Sequence, residues 1–269
     1  MLFNAKNGTL KLPYGEVDYI RFGTGPRPLV ILPGLGDGLR TVKGTALPMA
    51  LMYRAFARDF TVYMFSRKRP LPPGCTTRQM ARHVKDTMAA LGIARADVMG
   101  VSMGGMIAQW LAADYPALVG RLVLVVSSPC PNPLLKKRIS RWAALAQEGR
   151  MTLLMDENLR YIYTPAYYKR NKPLIPLAAA VSRPRSFAPF LTQAGACLGH
   201  NALAALGRIQ APTFVVGGGR DAVLGPGASR QLAAAIPGAR LRLYRRQGHG
   251  LYEEAKSFLP AVLAFLLQE

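Results

Sequence analysis

Residues 96–113 read Ala96-Asp-Val-Met-Gly100-Val-Ser102-Met-Gly104-Gly105-Met-Ile-Ala-Gln-Trp-Leu-Ala-Ala113. An apolar run, Ala96 to Met99, runs into a serine flanked by glycines. A helical pattern from Met106 to Ala113 follows at once. A strand-to-helix turn this tight leaves no room for side chains beside the serine, so glycine is needed at Gly100 and Gly104 and strain is accepted at Ser102. This is the arrangement of a nucleophile elbow. The hydroxyl stands at the head of a helix, whose positive dipole end favours developing negative charge. Small residues at Gly105, Ala108 and Ala112 let that helix pack closely on a sheet.

The flanking sequence repeats the strand–helix theme. Gly8-Thr-Leu-Lys-Leu and Glu16-Val-Asp-Tyr-Ile-Arg-Phe alternate around Pro13-Tyr-Gly and predict an antiparallel hairpin. Leu29-Val-Ile-Leu32 predicts a strand buried on both faces, ending in the glycine-rich loop Pro33-Gly34-Leu35-Gly36-Asp37-Gly38. Such a loop can offer N–H groups to an anion or serve as a plain connection. Helices are expected from Thr45 to Asp59 and from Thr77 to Leu91, and strands at Thr61–Phe65 and Arg121–Val126. Alternating strands and helices predict an α/β architecture with a parallel, doubly wound sheet and ligands at the strands' carboxyl ends.

From about Pro129 to Gly199 the alternation stops. Seven prolines after Pro129, helical pieces such as Leu134–Glu148 and no buried strand predict an inserted helical cap, with eleven Lys/Arg against three Asp/Glu. The expected division is core at 1–128, cap at 129–199 and core again at 200–269. A helix is expected at His200–Leu206 and a strand at Pro212–Val216, ending in Gly217-Gly-Gly-Arg-Asp221. A helix at Pro226–Ile236, a strand at Arg240–Tyr244, the loop Arg246-Gln-Gly-His249-Gly and a last helix at Leu251–Leu267 follow.

A serine hydroxyl needs a base to take its proton, and the base needs a carboxylate to hold its tautomer. Ser102, Asp221 and His249 supply these groups in that order, each after a strand. His83, on an expected helix, and His200, which follows no strand, are weaker candidates for the base. Asp37 reads as a helix cap beside the glycine loop.

With these residues in place, the chain resembles the α/β-hydrolase fold superfamily, of the capped, esterase-like kind, over nearly all its length. The resemblance rests on the Gly34–Gly38 loop, Gly100-Val-Ser102-Met-Gly104, Gly219-Arg-Asp221 and Gly248-His249-Gly250. It implies a mostly parallel eight-stranded sheet flanked by helices, Ser102 as nucleophile, His249 as base and Asp221 as its orienting acid. It also implies an oxyanion hole from the N–H groups of Leu35 and Met103 and a small-molecule substrate; with no Gly-x-x-x-x-Gly-Lys phosphate loop and no His-Glu-x-x-His motif in the chain, no cofactor or metal is expected. Two departures stand out: Pro33-Gly34 replaces the family's frequent His-Gly, and Ser66-Arg67-Lys68-Arg69 fills the loop after the strand at Thr61–Phe65.

The expected reaction is hydrolysis of a small ester, thioester or lactone through an acyl-enzyme. Carbon–carbon bond hydrolysis and perhydrolysis share the same residues, and a binding protein with little turnover shares the fold. Lys and Arg number 35 against 14 Asp and Glu, a net +21, and the basic cap would suit an anionic substrate. The basic residues are spread out, with no nucleic-acid-binding motif, so no specific nucleic-acid partner is expected. Gly217-x-Gly219-x-x-Ala222 fits a dinucleotide fingerprint only loosely and lacks the acidic residue about twenty positions later. Cys75, Cys130 and Cys197 have no CxxC spacing and read as buried thiols. Met1-Leu-Phe-Asn-Ala-Lys has no apolar signal core and no run is long enough to span a membrane, which predicts a cytoplasmic protein.

Overall fold

Runs of alternating or continuous apolar residues pair into one eight-stranded sheet in the computed structural model, which describes residues 2–268. The strands are β1 (Lys6–Leu12), β2 (Gly15–Phe22), β3 (Arg27–Leu32), β4 (Phe60–Phe65), β5 (Ala96–Val101), β6 (Val119–Val125), β7 (Thr213–Gly218) and β8 (Arg240–Tyr244). Their spatial order is β1-β2-β4-β3-β5-β6-β7-β8. The hairpin β1–β2 and the pair β2–β4 are antiparallel, and all other neighbours are parallel.

The helices are α1 (Ala46–Met52), α2 (Thr77–Ala90), α3 (Met103–Asp114), α4 (Pro133–Gln147), α5 (Met151–Ile162), α6 (Pro165–Asn171), α7 (Ile175–Ser182), α8 (Ala188–Leu198), α9 (Pro226–Ala235), α10 (Leu251–Glu254) and α11 (Phe258–Leu266). The central strands send alternate side chains to opposite faces. Val30, Leu32, Val98, Leu122 and Leu124 pack on one face with α2, α3 and α9. Leu29, Ile31, Met99, Val123 and Val125 pack on the other with α1 and α11. Helix α3 is buried nearly all round, in keeping with its mostly apolar sequence, Gln109 being a buried polar exception.

Five helices, α4 to α8, run consecutively between β6 and β7. Four prolines of this stretch sit at the starts of its α-helices. Pro133 and Pro165 begin α4 and α6, while Pro176 and Pro189 are the second residues of α7 and α8. There the missing N–H has no intrahelical partner to lose and φ is already set. Asn132 and Thr164 cap α4 and α6 through their side-chain oxygens.

Three expected helices change shape. The one at 45–59 shortens to α1 and a 3-10 turn at Arg54–Phe56, with Pro48 tolerated in the first turn. The helix expected at His200–Leu206 is a 3-10 helix, Leu203–Arg208, which leaves His200 outside it. The last helix is two, α10 and α11, with a break at 255–257.

Candidate active site

Parallel registry aligns the carboxyl ends of β3, β5, β6, β7 and β8 along one edge of the sheet: Leu32 pairs with Gly100, Val101 with Val125, Val125 with Val216 and Gly218 with Tyr244. Strand order reverses where β3 separates β4 from β5, so a crevice opens there. Ser102 caps β5 at φ 54 and ψ −116, a strained conformation for a residue with a Cβ. A Cβ on Gly100 would lie 2.5 Å from the Gly104 carbonyl oxygen, and one on Gly104 would run into the Leu32 carbonyl. The elbow is held from below by Ser102 N–H donating to Val125 O at 2.8 Å, and Ser127 Oγ donates to Ser102 O at 2.9 Å.

The structure brings the three sequence-selected side chains together. His249 Nε2 lies 3.0 Å from Ser102 Oγ, and His249 Nδ1 lies 2.8 Å from Asp221 Oδ2. Both partners of the second contact are buried, with 4% of His249 and 6% of Asp221 exposed. The other carboxylate oxygen accepts N–H bonds from Val223 at 2.8 Å and Leu224 at 2.9 Å. With its carboxylate so fixed, Asp221 accepts from Nδ1–H and leaves Nε2 as the acceptor facing the serine hydroxyl. Gly218 and Gly219 have a local reason here. A Cβ on Gly218 would meet the Gly248 carbonyl, and one on Gly219 would lie 2.7 Å from the Arg245 carbonyl oxygen. Gly218 and Gly219 thus let β7 approach the loop carrying His249, and of the two only Gly219 belongs to the loose dinucleotide fingerprint.

Ser102 and His249 open on a cavity of about 290 Å³. Leu35 lines it, and Gly34 packs on the serine, where an added Cβ would lie 3.5 Å from Ser102 Cβ. Met103 is the first residue of α3, so its N–H has no partner within the helix. Leu135, Ile139 and Trp142 of α4, Ile162 of α5 and Cys197 make an apolar wall. The expectation of an anionic substrate met by basic cap residues has no counterpart here: the lining includes Asp37 and Asn158 and no Lys or Arg. The helical roof is fastened to both loops below it. Asn132 Nδ2 donates to Leu224 O at 2.7 Å, and Gly250 N–H donates to Ile162 O at 2.6 Å.

Two features beside the cavity escaped the sequence. The main-chain N–H of Arg67 donates to Asp37 Oδ2 at 2.9 Å, while its guanidinium donates to Pro33 O. Arg67 is therefore buried under the glycine-rich loop. Burial raises the Asp37 carboxyl above its ordinary range, with Arg67 opposing the shift, and lowers the Arg67 guanidinium. The second feature is a buried polar chain behind the elbow. Thr77 Oγ1 lies 2.9 Å from His200 Nδ1, and His200 Nε2 lies 3.4 Å from Gln109 Oε1. Gln109 Nε2 donates to Ser127 Oγ at 3.3 Å and to Ser128 O at 3.1 Å. With the Gln109 amide donors so used, His200 carries its proton on Nε2 and accepts from Thr77 at Nδ1. Burial lowers the His200 pKa to about 4. His200 thus supports the elbow from behind and does not face the serine hydroxyl. His83, half-buried on α2, lies beside Arg67 and Lys68 at a small hollow apart from Ser102. All three cysteines are free thiols, and burial pushes Cys197 up to about 12.

Comparison with known proteins bears on the family and the fold. The chain is 31% identical over 96% of its length to the polyketide synthase ThaQ of Burkholderia thailandensis, but spans only 12% of that protein. It is 33% identical over 62% of its length to the pimeloyl-[acyl-carrier protein] methyl ester esterase of Chromobacterium violaceum, spanning 67% of that protein. The enol-lactonase of Burkholderia xenovorans superposes with a TM-score of 0.83 at 23% identity, covering 97% of this chain and 100% of the other. The model of the alpha/beta hydrolase fold family matches residues 27–256, and the chain belongs to that family.

Proposed function

We propose that the protein hydrolyses a small ester, thioester or lactone with an uncharged, apolar acyl part, through an acyl-enzyme on Ser102. The observation that carries this reading is the unbroken chain from Ser102 Oγ through His249 to Asp221, at 3.0 and 2.8 Å. Ser102 Oγ attacks the carbonyl carbon while His249 Nε2 takes its proton, and Asp221 stabilises the imidazolium. The N–H groups of Leu35 and Met103 hold the oxyanion, and losing one such donor slows turnover roughly 100- to 1,000-fold. His249 then protonates the leaving alcohol or thiol. Water repeats the sequence in reverse and frees the acid. Helices α4 to α8 act as the cap, whose apolar wall selects the acyl chain. The similarity to a carrier-protein methyl ester esterase supports an ester substrate.

The test is labelling with a fluorophosphonate at neutral pH, with mass mapping of the adduct. Wild type is expected to label rapidly at Ser102, and Ser102→Ala, Asp221→Asn and His249→Ala to lose most of the rate. A folded wild type that does not label overturns the proposal. So does labelling with turnover of a vinylogous diketone and of no ester, which would assign carbon–carbon cleavage.

A further inference from the structure

The surface of the roof carries a feature that the reaction above does not use. Leu174, Leu177 and Val181 are 58%, 67% and 70% exposed. Spaced i, i+3 and i+7, they lie on one face of α7 and the turn before it. The opposite side of α7, through Ile175 and Ala179, packs inward and borders a cleft of about 700 Å³ against α5, with Arg150, Lys172 and Arg183 on its rim. Lys169, Arg170 and Lys172 precede the aliphatic ridge, Arg183 and Arg185 follow it, and all five are exposed. None of the five is in an ion pair among the described residues. No Asp or Glu occurs anywhere between residues 158 and 220.

We propose that this face docks the protein onto an anionic lipid bilayer. Leu174, Leu177 and Val181 insert among the upper acyl chains, and the five flanking cations sit in the plane of the headgroup phosphates. A contiguous protruding aliphatic patch rimmed by charge marks an interaction surface. Its chemistry selects the partner. The ridge has no hydrogen-bonding or aromatic group to read a protein surface, whereas insertion into acyl chains needs only apolar area. Cations at both ends hold the short helix flat, and each adds attraction to an anionic leaflet. A second copy of the chain fits poorly, because two molecules of net charge +21 repel. This docking surface is separate from the Ser102 cavity and stands or falls independently of the chemistry there.

The experiment is cosedimentation of the full chain with vesicles of phosphatidylcholine alone and of equal parts phosphatidylcholine and phosphatidylglycerol. Wild type is expected to bind the mixed vesicles and not the neutral ones. Leu177→Asp/Val181→Asp is expected to weaken binding about tenfold or more. A charge-matched control, Lys6→Gln/Lys11→Gln on β1, is expected to stay within about threefold. Leu177→Trp should show blue-shifted fluorescence on the mixed vesicles only. The ridge side chains are exposed, so circular dichroism and Ser102 labelling should be unchanged in these variants. Equal losses in the two double variants, wild-type binding by Leu177→Asp/Val181→Asp, or no binding to mixed vesicles overturns the proposal. Retention on an acidic carrier protein without vesicle binding also overturns it, in favour of a protein partner.

Discussion

The main-chain N–H of Arg67 donates to Asp37 Oδ2 at 2.9 Å, tying the loop after β4 to the loop after β3. The Arg67 guanidinium reaches beneath that second loop to the Pro33 carbonyl, so one residue grips it at two points. Arg67 and Asp37 are 5% and 8% exposed, and removing one partner leaves the other charge buried alone. The Arg67→Met variant should lose about 3 kcal/mol of stability. It should also lower kcat about 10- to 100-fold with little change in KM, because the loop carrying the proposed oxyanion donor, the Leu35 N–H, loses its anchor. Arg67→Lys should not restore kcat, since the lysine nitrogen stops one bond short of the guanidinium nitrogen that donates to Pro33 O. Steady-state kinetics on any ester the wild type turns over, together with urea unfolding, checks all three statements. An unchanged kcat in Arg67→Met would separate the pair from catalysis.

Gly104 and Gly36 differ in what surrounds them. A Cβ on Gly104 would collide with the Leu32 main chain, whereas nothing lies within 4 Å of one on Gly36. Gly104→Ala should therefore destabilise by about 3 kcal/mol or more, because the backbone itself must move. Gly36→Ala should stay within about 0.5 kcal/mol of wild type. Urea titrations of the two variants side by side provide the comparison, and equal midpoints would contradict the packing described for the elbow.

The three side chains that meet at Ser102 were legible because each of them follows a strand. Ser102, Asp221 and His249 come within five residues of the ends of β5, β7 and β8, so alternation and loop chemistry locate them without knowledge of packing. The eight-stranded sheet was legible for the same reason. Arg67 was not: an arginine in a run of cations looks solvated unless its buried partners, thirty residues away at Asp37 and Pro33, are known. Gln109 and His200 were hidden likewise, since their contacts join α3 to the segment after α8 across 91 positions. The helices of the roof were legible as a class but not in their bounds, because only the structure shows that Pro133 and Pro176 sit at helix starts.

Gln109 is fully buried and its amide meets three partners: His200, Ser127 and Ser128. Gln109→Leu keeps the volume roughly constant but strips those polar groups of a partner, at a cost of about 2 kcal/mol or more. Ser127 Oγ also donates to the carbonyl of Ser102, so loosening it should disturb the elbow. The expected signature is a kcat reduced several-fold at unchanged KM. Loss of stability with full kcat would make the chain a core feature only.

His200 gives that buried chain a pH dependence of calculable sign. Burial lowers its pKa to about 4, so the folded protein holds it neutral where an unfolded chain already binds a proton. Below the ordinary histidine value near 6.5 the unfolded state therefore carries more bound protons, and stability falls as pH drops. The loss accumulates down to pH about 4 and then levels off, because the folded state becomes protonated too. The gap amounts to about 3 kcal/mol at most. Asp37, raised by burial, contributes with the opposite sign, so wild type alone would not isolate the effect. His200→Gln removes the histidine and leaves Asp37 in place. Urea unfolding of both proteins between pH 7 and pH 4 should show wild type losing stability faster than His200→Gln as pH falls. Parallel curves would mean that His200 is as easily protonated in the folded chain as in the unfolded one. The buried contacts with Thr77 and Gln109 would then open in solution.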